Sequence, residues 1–296
     1  MIQLLEAVAE GLGRGSVYAL IGLGFVIIFK SSRVISFAQP GFMIAGVVLV
    51  SYLVDVPWLG FWGALALGTV LIGLFALGVE RVVVRPMIGR PVFTIAIITI
   101  GLDIAIRTVA HAWLGFNPRQ VDDPWGLRTF ELGPVTVQQR HAAAVVAAAV
   151  LVAVLFAFFR FTRMGLAMRA VAEDQEAALA QGVSVGAVFA LSWALAGALA
   201  AVAGVFAAAG LNVDNTFWPI ALYALPVIIL GGLDSLEGAV LAGLVIGVLQ
   251  SLAAAYPDAL AWLGRNPSII VPWLVMVLVL ILRPYGIFGT REVERV

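Results

Sequence analysis

Nine apolar segments follow one another along the chain, and this pattern restricts the fold more than any other feature of the sequence. The segments cover residues 7–29, 40–54, 58–79, 92–114, 141–159, 185–211, 217–233, 236–256 and 267–283. A bilayer core of roughly 30 Å needs about 20 apolar residues in a helix, and lipid offers no hydrogen-bond partners to the backbone. Long unbroken runs also lack the alternation of a membrane barrel. The sequence therefore predicts an all-α polytopic membrane protein.

The composition agrees with a membrane location. Of the 296 residues, 62% are apolar and only 11% are charged, and the mean hydropathy is +1.08. Soluble domains usually carry about 25% charged residues. So few polar side chains cannot cover a water-facing globule, which excludes a cytosolic enzyme as the first expectation. The length predicts a single membrane domain over residues 1–296, without an appended soluble domain.

The number and orientation of the spans follow from segment length and basic residues. Segments 40–54 and 217–233 are short, so we expect eight or nine transmembrane helices, with either short segment spanning fully or re-entrant. If nine segments span and the N-terminus is outside, most of the 17 basic residues fall in inner connections, as the positive-inside rule requires. These inner residues are Lys30, Arg33, Arg81, Arg85, Arg90, Arg160, Arg163, Arg169, Arg283, Arg291 and Arg295. The sequence therefore predicts an outer N-terminus, a cytoplasmic C-terminus and an outer loop at 115–140.

Signatures of catalysis are missing from the sequence. The only lysine, Lys30, follows Phe29, whereas a phosphate-binding loop needs glycine before its lysine. His111 and His141 are far apart and do not form a zinc-protease pair. Cysteine is absent, which removes thiolate nucleophiles and cysteine metal sites. Because these motifs are missing, we expect no catalytic or metal-binding residues and no cofactor bound by this chain. The formal net charge is zero, so we also expect no nucleic-acid partner.

The connection between the fifth and sixth segments is too long for a simple turn. Met164, Met168 and Val171 have the spacing of one helix face, and Asp174 is placed to cap a second short helix that Gly182 ends. The polar positions hold Arg169, Glu173, Asp174 and Glu176. Two such helices have too little core to be stable alone, so they must dock. Periodicity leaves two docking surfaces open, the bilayer and a protein partner.

A longer motif in this connection carries a family resemblance. The pattern T-R-x-G-x-A-x-R-A-x-A-x-D-x-x-A-A-x-x-x-G-V runs through Thr162, Arg163, Gly165, Ala167, Arg169, Ala170, Ala172, Asp174, Ala177, Ala178, Gly182 and Val183. It is similar to the coupling loop of the LivH-type permeases, the inner-membrane subunits of bacterial ABC importers for branched-chain amino acids. Three further stretches resemble the family's first helices, its glycine-rich late segment and its C-terminal end: GSVYALIGLGFVIIFKSSRVISFAQPGFMIAG, VIILGGLDSLEGAVLAGLVIGVLQS and LRPYGIFGTREV. The resemblance covers nearly the whole chain.

The resemblance implies a non-catalytic permease domain that forms half of a translocation pathway in the bacterial inner membrane. Its cytoplasmic coupling loop would be residues 160–184. The loop residues implied to meet the ATPase are Thr162, Arg163, Gly165, Arg169, Glu173, Asp174, Glu176 and Gly182. The implied partners are a second, LivM-like permease, two cytoplasmic ATP-binding subunits that hold ATP and magnesium, an extracytoplasmic substrate-binding protein and membrane lipid. The implied substrate is a branched-chain or related hydrophobic amino acid.

The chain departs from the family pattern at a few positions that bear on the substrate. The family commonly has histidine after the alanine of ISFAQPG, often followed by an acid, where this chain has Gln39 and Pro40. Asp103 and Arg107 stand where uncharged residues are expected. Similar permeases carry urea, short amides or other small organic acids, which are the alternative substrates here. A stand-alone channel or ion-coupled transporter is the alternative of another class, and it leaves the coupling-like loop unexplained.

Charges and helix breaks within the membrane indicate a candidate substrate pathway. Asp103, Arg107 and His111 lie four residues apart on one helix face, where each charge costs at least about 2.5–3.5 kcal/mol. Asp103 and Arg107 either offset one another in a polar clamp or line the substrate path. The break at Gln39-Pro40-Gly41 also marks either a cavity or tight packing. For the later glycines, Gly231, Gly232, Gly238, Gly243 and Gly247, we expect close helix packing.

Overall fold

The fold is a helical bundle with one small hairpin. The structure is a computed structural model and describes residues 1–87, 90–115, 118–213 and 217–289. The helices are α1 (Ile2–Ser32), α2 (Gln39–Leu53), α3 (Gly60–Val79), α4 (Val92–Leu114), α5 (Gln139–Phe161), α6 (Arg163–Glu173), α7 (Gln175–Ala180), α8 (Val185–Ala208), α9 (Ala224–Gly231), α10 (Leu236–Ala255) and α11 (Pro267–Leu282). The antiparallel hairpin is β1 (Thr129–Leu132) and β2 (Val135–Gln138). A π-helix (Glu80–Val84) and 3-10 helices (Arg85–Met87, Trp218–Tyr223 and Pro257–Leu263) complete the described elements.

Helix α1 lies at the centre of the bundle. Every residue from Gly15 to Ile28 is buried, and the helix packs against α5, α8, α9 and α10. A helix that is apolar all round is expected to be enclosed by others. It ends at Ser32, and Arg33 follows in the left-handed backbone region with a φ of 56°. Because α1 contacts the other core helices, a shift at its end affects much of the molecule.

Small residues allow α1 and α10 to approach each other closely. A Cβ atom on Gly243 would lie 2.7 Å from the Ala19 nitrogen, and one on Gly247 would collide with the backbone of Gly11 and Gly15. Glycine four residues apart on each helix lets the two backbones touch. The other late glycines also contact backbone: Gly231 against Gly238, and Gly232 against Gly289. The prediction that these glycines serve packing is confirmed.

The first short segment is a helix that follows an extended stretch. Residues 34–36 are not helical, and the Phe37 nitrogen donates to Thr99 Oγ1 at 3.0 Å. Pro40 lies in the first turn of α2, where its missing N–H costs no hydrogen bond. At the other end, Tyr52 Oη donates to the Trp113 carbonyl at 2.6 Å. Residues 37–52 therefore run alongside α4 from Thr99 to its C-terminal end.

The second short segment is broken into two kinds of helix. The 3-10 helix Trp218–Tyr223 has 6 residues and α9 has 8, and Gly232 ends the segment at a φ of 99°. Rises of about 2.0 Å and 1.5 Å per residue give a length of about 24 Å, short of a bilayer core of roughly 30 Å. The Tyr223 ring lies 5.4 Å from the Tyr18 ring of α1. At the C-terminal end of the segment, the Ile287 nitrogen donates to the Leu230 carbonyl of α9 at 2.8 Å.

Length and hydropathy identify fewer spans in the structure than the eight or nine expected from sequence. Within the described residues, 6 helices are long and apolar enough to cross a membrane, or 7 if the bent pair Pro257–Leu263 and Pro267–Leu282, at 63°, is one span. The six are α1, the helix Gly60–Met87, α4, α5, α8 and α10. The number of spans is lower because α2 and the segment ending in α9 are short and because a kink precedes α11. The count of eight or nine and the outer N-terminus stay predictions.

Loops predicted to share a side of the membrane meet at the same end of the bundle. At one end, Gln3 Nε2 donates to the Ala255 carbonyl at 3.0 Å, and the Thr136 nitrogen donates to Glu6 Oε1 at 3.0 Å. At the other end, Arg33 Nη2 donates to the Ala172 carbonyl at 2.9 Å. Arg291 and Arg295, used in the orientation argument, lie outside the described residues.

The loop at 115–140 contains the hairpin, which the sequence analysis did not predict. Asp123 Oδ1 accepts from the nitrogens of Trp125 at 3.0 Å and Gly126 at 2.7 Å, which closes a turn before β1. Asp123 Oδ2 accepts from the Gly210 nitrogen at 2.7 Å, just after α8. One carboxylate thus fixes the loop over the end of the bundle.

Candidate functional site

The connection at 160–184 forms two short helices, α6 and α7, each begun by a side-chain cap. Thr162 Oγ1 accepts from the Gly165 nitrogen at 2.9 Å at the start of α6. Asp174 Oδ1 accepts from the Ala177 nitrogen at 2.9 Å at the start of α7. Gly182, with a φ of 82°, follows the end of α7. The predicted cap and turn are confirmed, so Thr162, Asp174 and Gly182 have structural tasks.

One face of these two helices packs onto the bundle. Met168, Val171 and Ala178 are buried, and α6 contacts α1, α5 and α8. Gly165 lies against the last turn of α5, where a Cβ atom would come within 2.6 Å of the Phe159 Cα atom. Only glycine fits there without moving the helix. The two helices therefore form a unit docked onto the ends of α1 and α5.

Two hydrogen bonds connect this unit to the C-terminal end of the central helix. Gln175 Nε2 donates to the Ser31 carbonyl at 3.0 Å, and Arg33 Nη2 donates to the Ala172 carbonyl at 2.9 Å. Both accepting carbonyls lie near helix ends, where intrahelical donors are lacking. A displacement of the unit would therefore be transmitted directly to the end of α1 and the extended stretch before α2.

The opposite face of the unit is open to solvent and mixes charges with two large apolar side chains. Leu166 is 59% exposed and Leu179 is 64% exposed. The exposed polar residues are Arg163, Arg169, Glu173, Asp174 and Glu176. Exposed leucines ringed by charges are typical of a protein interaction surface. Thr162 and Asp174 cap the two helices. The other charged residues predicted to couple, Arg163, Arg169, Glu173 and Glu176, do not form these caps.

Asp103 and Arg107 form an ion pair within α4. Arg107 donates to Asp103 Oδ2 from Nε at 2.9 Å and from Nη2 at 2.6 Å. Their side chains are 10% and 18% exposed, respectively. The pair thus sits inside the protein rather than in lipid. Its geometry fits the polar-clamp interpretation, and a role towards substrate stays a prediction.

The structure brings the two parts of the predicted pathway together. A Cβ atom on Gly41 would lie 3.3 Å from the backbone of Asp103, so the start of α2 touches α4 at its charged pair. Gln39 and Pro40 are buried beside it. Gln39 is wholly buried, and neither amide atom has a hydrogen-bond partner within the described residues. A Cβ atom on Gly24 would collide with the Gln39 amide nitrogen, so glycine in α1 leaves room for this side chain.

A polar cavity that the sequence did not predict lies at the end of the bundle near the hairpin. Its volume is about 290 Å³, and α1, α5, α8, α10 and the 3-10 helix before α9 enclose it. Its polar lining consists of Arg14, Tyr18, Arg140, His141, Tyr223 and Gln250. Tyr18 Oη donates to Gln250 Oε1 at 2.5 Å, which fixes one wall. The sequence feature that could have indicated this cavity is Arg14, a charged residue inside the first apolar segment.

Two arginines border this cavity and differ in their partners. Arg14 forms an ion pair with Glu10 at 2.5 Å, whereas within the described residues Arg140 donates to neutral oxygens, of Gln138 at 2.7 Å and of the Ala209 carbonyl at 3.1 Å. An arginine held by neutral groups keeps its charge available to a carboxylate. The cavity is at the small end of ligand sites, a size that suits a small molecule.

An ion pair that was not predicted from the sequence, Glu80–Arg85, lies at the end of α3. Glu80 is fully buried and accepts from Arg85 Nε and Nη2, both at 3.1 Å. Arg85 Nη2 also donates to the Gly186 carbonyl at 2.7 Å, in the first turn of α8. The pair spans the π-helix at the end of α3. It fastens α3 to the point where the chain leaves α7 for α8.

Comparison with known proteins identifies the family. The family model described as "Branched-chain amino acid transport system / permease component" matches residues 7–282. The chain belongs to this family. The permease is therefore a non-catalytic transport subunit and a multi-pass protein of the bacterial inner membrane.

Named relatives agree along the whole length. The permease is 28% identical to the high-affinity branched-chain amino acid transport system permease protein LivH of Salmonella typhimurium, over 100% of this chain and 98% of the relative. The LivH protein of Escherichia coli K12 shows the same identity and coverage. The permease protein BraD of Pseudomonas aeruginosa is also 28% identical, over 99% and 98% of the two chains. The LivH-type resemblance drawn from the motifs is confirmed.

A solved structure shares the fold. The PsaBC structure from Streptococcus pneumoniae in complex with Fab superimposes with a TM-score of 0.51 over 96% of this chain and 93% of that chain. The sequence identity is 16%, so the likeness concerns the fold alone. A helical bundle of this kind is thus known from experiment.

Proposed function

We propose that this permease forms half of the translocation pathway of an ATP-driven importer. In this proposal residues 1–296 are a single permease domain, crossed by eight or nine spans with the N-terminus outside and the C-terminus in the cytoplasm. A second, LivM-like permease supplies the other half. An extracytoplasmic binding protein delivers the substrate, and two cytoplasmic subunits bind ATP with magnesium. This chain binds no cofactor.

The observation that carries the proposal is the docked unit of α6 and α7. Its inner face is packed onto α5 and bonded to Ser31 and Arg33 at the end of α1, while its outer face presents Leu166 and Leu179 among charges. A surface helix that only rested on lipid would turn its apolar side chains towards the bilayer rather than bury one set and expose another. Such a unit is suited to receive a push from an ATPase and to pass it to the central helix.

The substrate is proposed to be a branched-chain or related hydrophobic amino acid. Support comes from the names of the relatives and from the polar cavity, where Arg140 and Arg14 face a space large enough for a small amino acid. A carboxylate is the group that arginine recognises best. Asp103 and Arg107, with Gln39, Pro40 and Gly41, form the second polar place along the proposed path. Urea, an amide or another small organic acid is the alternative substrate, and the cavity is large enough for it.

A charge-reversal experiment tests the coupling role. Glu173→Arg together with Glu176→Arg changes the exposed face without touching the caps at Thr162 and Asp174. In this proposal, basic side chains of the ATPase meet the two acids, so the new arginines would face like charges across the interface. Such a contact costs several kcal/mol, and ATP-driven uptake by the assembled importer should therefore fall at least about tenfold. Uptake per assembled complex and substrate-stimulated ATP hydrolysis are the measurements.

The matched control is Glu131→Arg, an exposed acid on β1 at the other end of the bundle. This variant should keep wild-type uptake. Full uptake in the Glu173 and Glu176 double variant would show that α6 and α7 do not couple the permease to an ATPase.

A further inference from the structure

A large pocket with a basic rim opens beside the end of α1, away from both polar places described above. Its volume is about 580 Å³. The lining from α5 includes Ala153, Phe156 and Arg160, and α1 contributes Ile27 and Lys30. Ile27, Ala153 and Phe156 lie deeper along α1 and α5 than Lys30 and Arg160, which are in the last turns of these two helices. The pocket thus runs from the apolar interior of the bundle to its polar end.

Among the described residues, three cations and one acid line the pocket. Lys30 and Arg160 face a space that Glu237 also borders, and Arg169 of α6, which is exposed, lies where this space opens to solvent. Within the described residues, no side-chain ion pair neutralises any of the three, and the Arg160 guanidinium lies 5.5 Å from the centre of the Phe161 ring. By contrast, Arg85 and Arg107 each bond a carboxylate. The pocket therefore has an excess positive charge that the rest of the described chain does not balance.

This arrangement matches the chemistry of a phospholipid. A lipid phosphate at the membrane border needs cationic donors, and its acyl chain needs an apolar wall at membrane depth. Arginine and lysine are the side chains that bind phosphate, through charge-assisted hydrogen bonds. Phe156 and Ala153, one and two turns deeper on α5 than Arg160, would lie along the chain below the headgroup.

We propose that the pocket is a binding site for an anionic phospholipid, with the phosphate held by Lys30 and Arg160 and an acyl chain lying on α5. Charge decides between this occupant and a neighbouring membrane helix, since an apolar helix would leave three cations without a counter-charge. A bound lipid would fill the gap between α5 and the start of α10 and brace the end of α1.

The single lysine of the chain permits a specific test. The purified full-length permease is placed in vesicles of phosphatidylcholine alone or with added phosphatidylglycerol, and acetylation of Lys30 by a water-soluble reagent is followed by peptide mass spectrometry. Phosphatidylglycerol should slow acetylation of Lys30 several-fold. Arg160→Gln should remove most of this protection, because the remaining donors hold the phosphate less well. Arg81→Gln, an exposed arginine outside the pocket, should leave the protection unchanged.

A second reporter separates binding from the general effect of an anionic surface. The variant Lys30→Gln with Arg81→Lys carries its only lysine outside the pocket, and phosphatidylglycerol should protect that lysine far less. Equal protection of the two lysines, or full protection in Arg160→Gln, would overturn the proposal. So would equal protection of Lys30 by inorganic phosphate in phosphatidylcholine vesicles, which would indicate a free anion rather than a lipid. Absence of any protection would indicate another occupant.

Discussion

Asp103 and Arg107 show how a membrane protein can carry charge at depth. Two separate charges would each cost several kcal/mol in the bilayer, whereas one carboxylate that receives two N–H donors from a neighbouring turn is largely neutralised. The packing of Gly41 against the Asp103 backbone also covers the pair with protein. The pair is thus tolerated because helix α2 shields it.

Removing one partner of this pair should therefore cost more than removing both. Asp103→Asn leaves Arg107 without its carboxylate, and breaking a buried pair typically costs about 3–5 kcal/mol. The double variant Asp103→Leu with Arg107→Leu should recover most of the lost thermal stability. Thermal unfolding in detergent measures the stability, and uptake per folded complex separates the two interpretations of the pair. Normal uptake in the double variant supports the clamp, and lost uptake with recovered stability supports a contact with substrate.

The half-exposed pair Glu10–Arg14 supplies the control, since both side chains are 39% exposed. Glu10→Gln should change stability by no more than about 1 kcal/mol, the usual range of a surface pair. An equal loss in Asp103→Asn and Glu10→Gln would contradict the argument that burial makes the first pair costly to break.

At the scale of single residues, the sequence predicted well wherever a local pattern was enough. Asp174 and Gly182 were recognisable because capping and left-handed turns act over a few residues. Arg140 and Tyr223 were not, because the cavity they line is assembled from helices distant in sequence. Gln39 was selected by its break in the helix pattern, but its burial beside Gly24 depends on how α1 packs.

Among the elements, the contact of α1 with α10 depends most on side-chain size. A Cβ atom at position 243 would already lie 2.7 Å from the Ala19 backbone. The larger side chain of Gly243→Val would therefore collide with α1. Overpacking typically costs about 1–3 kcal/mol, and here a rigid backbone rather than a flexible side chain must move. The variant should unfold at a clearly lower temperature in detergent than wild type.

Gly101→Ala is the matched control, because a Cβ atom on this α4 glycine would meet nothing within 4 Å. It should keep the wild-type unfolding temperature or raise it, since alanine favours the helix. An unfolding temperature of Gly243→Val equal to that of Gly101→Ala would show that the helices do not approach as closely as described.

The long helices were predictable from apolar length, and the irregular elements were not. Runs such as 141–159 and 185–211 became α5 and α8 with small shifts at the ends. The hairpin β1–β2 went unpredicted because its four-residue strands carry too little pattern to separate them from a loop. The 3-10 start of the segment 217–233 was not predictable from local pattern either, because its Tyr223 ring packs against the distant Tyr18 ring, tilted by 45°.

At the scale of the whole molecule, the contacts show which loops share an end of the bundle, and labelling can assign each end to a side. The chain has no cysteine, so one introduced at Leu127, 77% exposed, or at Gln181, also exposed, reports without background. A membrane-impermeant thiol reagent added to intact cells should label the cysteine at 127 and spare that at 181. Disrupted cells should label both. The reversed pattern would place the N-terminus in the cytoplasm.

The central claim, that this chain is a passive half-pore driven by separate ATPases, is tested most directly by uptake into proteoliposomes. The measurement is the initial rate of radiolabelled leucine uptake, with binding protein outside and ATP inside, for the permease pair with and without the ATPase subunits. We expect uptake only when the ATPases and hydrolysable ATP are both present, and none from an ion gradient alone. Uptake by the permease without ATPases, driven by an imposed ion gradient or running downhill, would contradict it and establish an ion-coupled transporter or a channel.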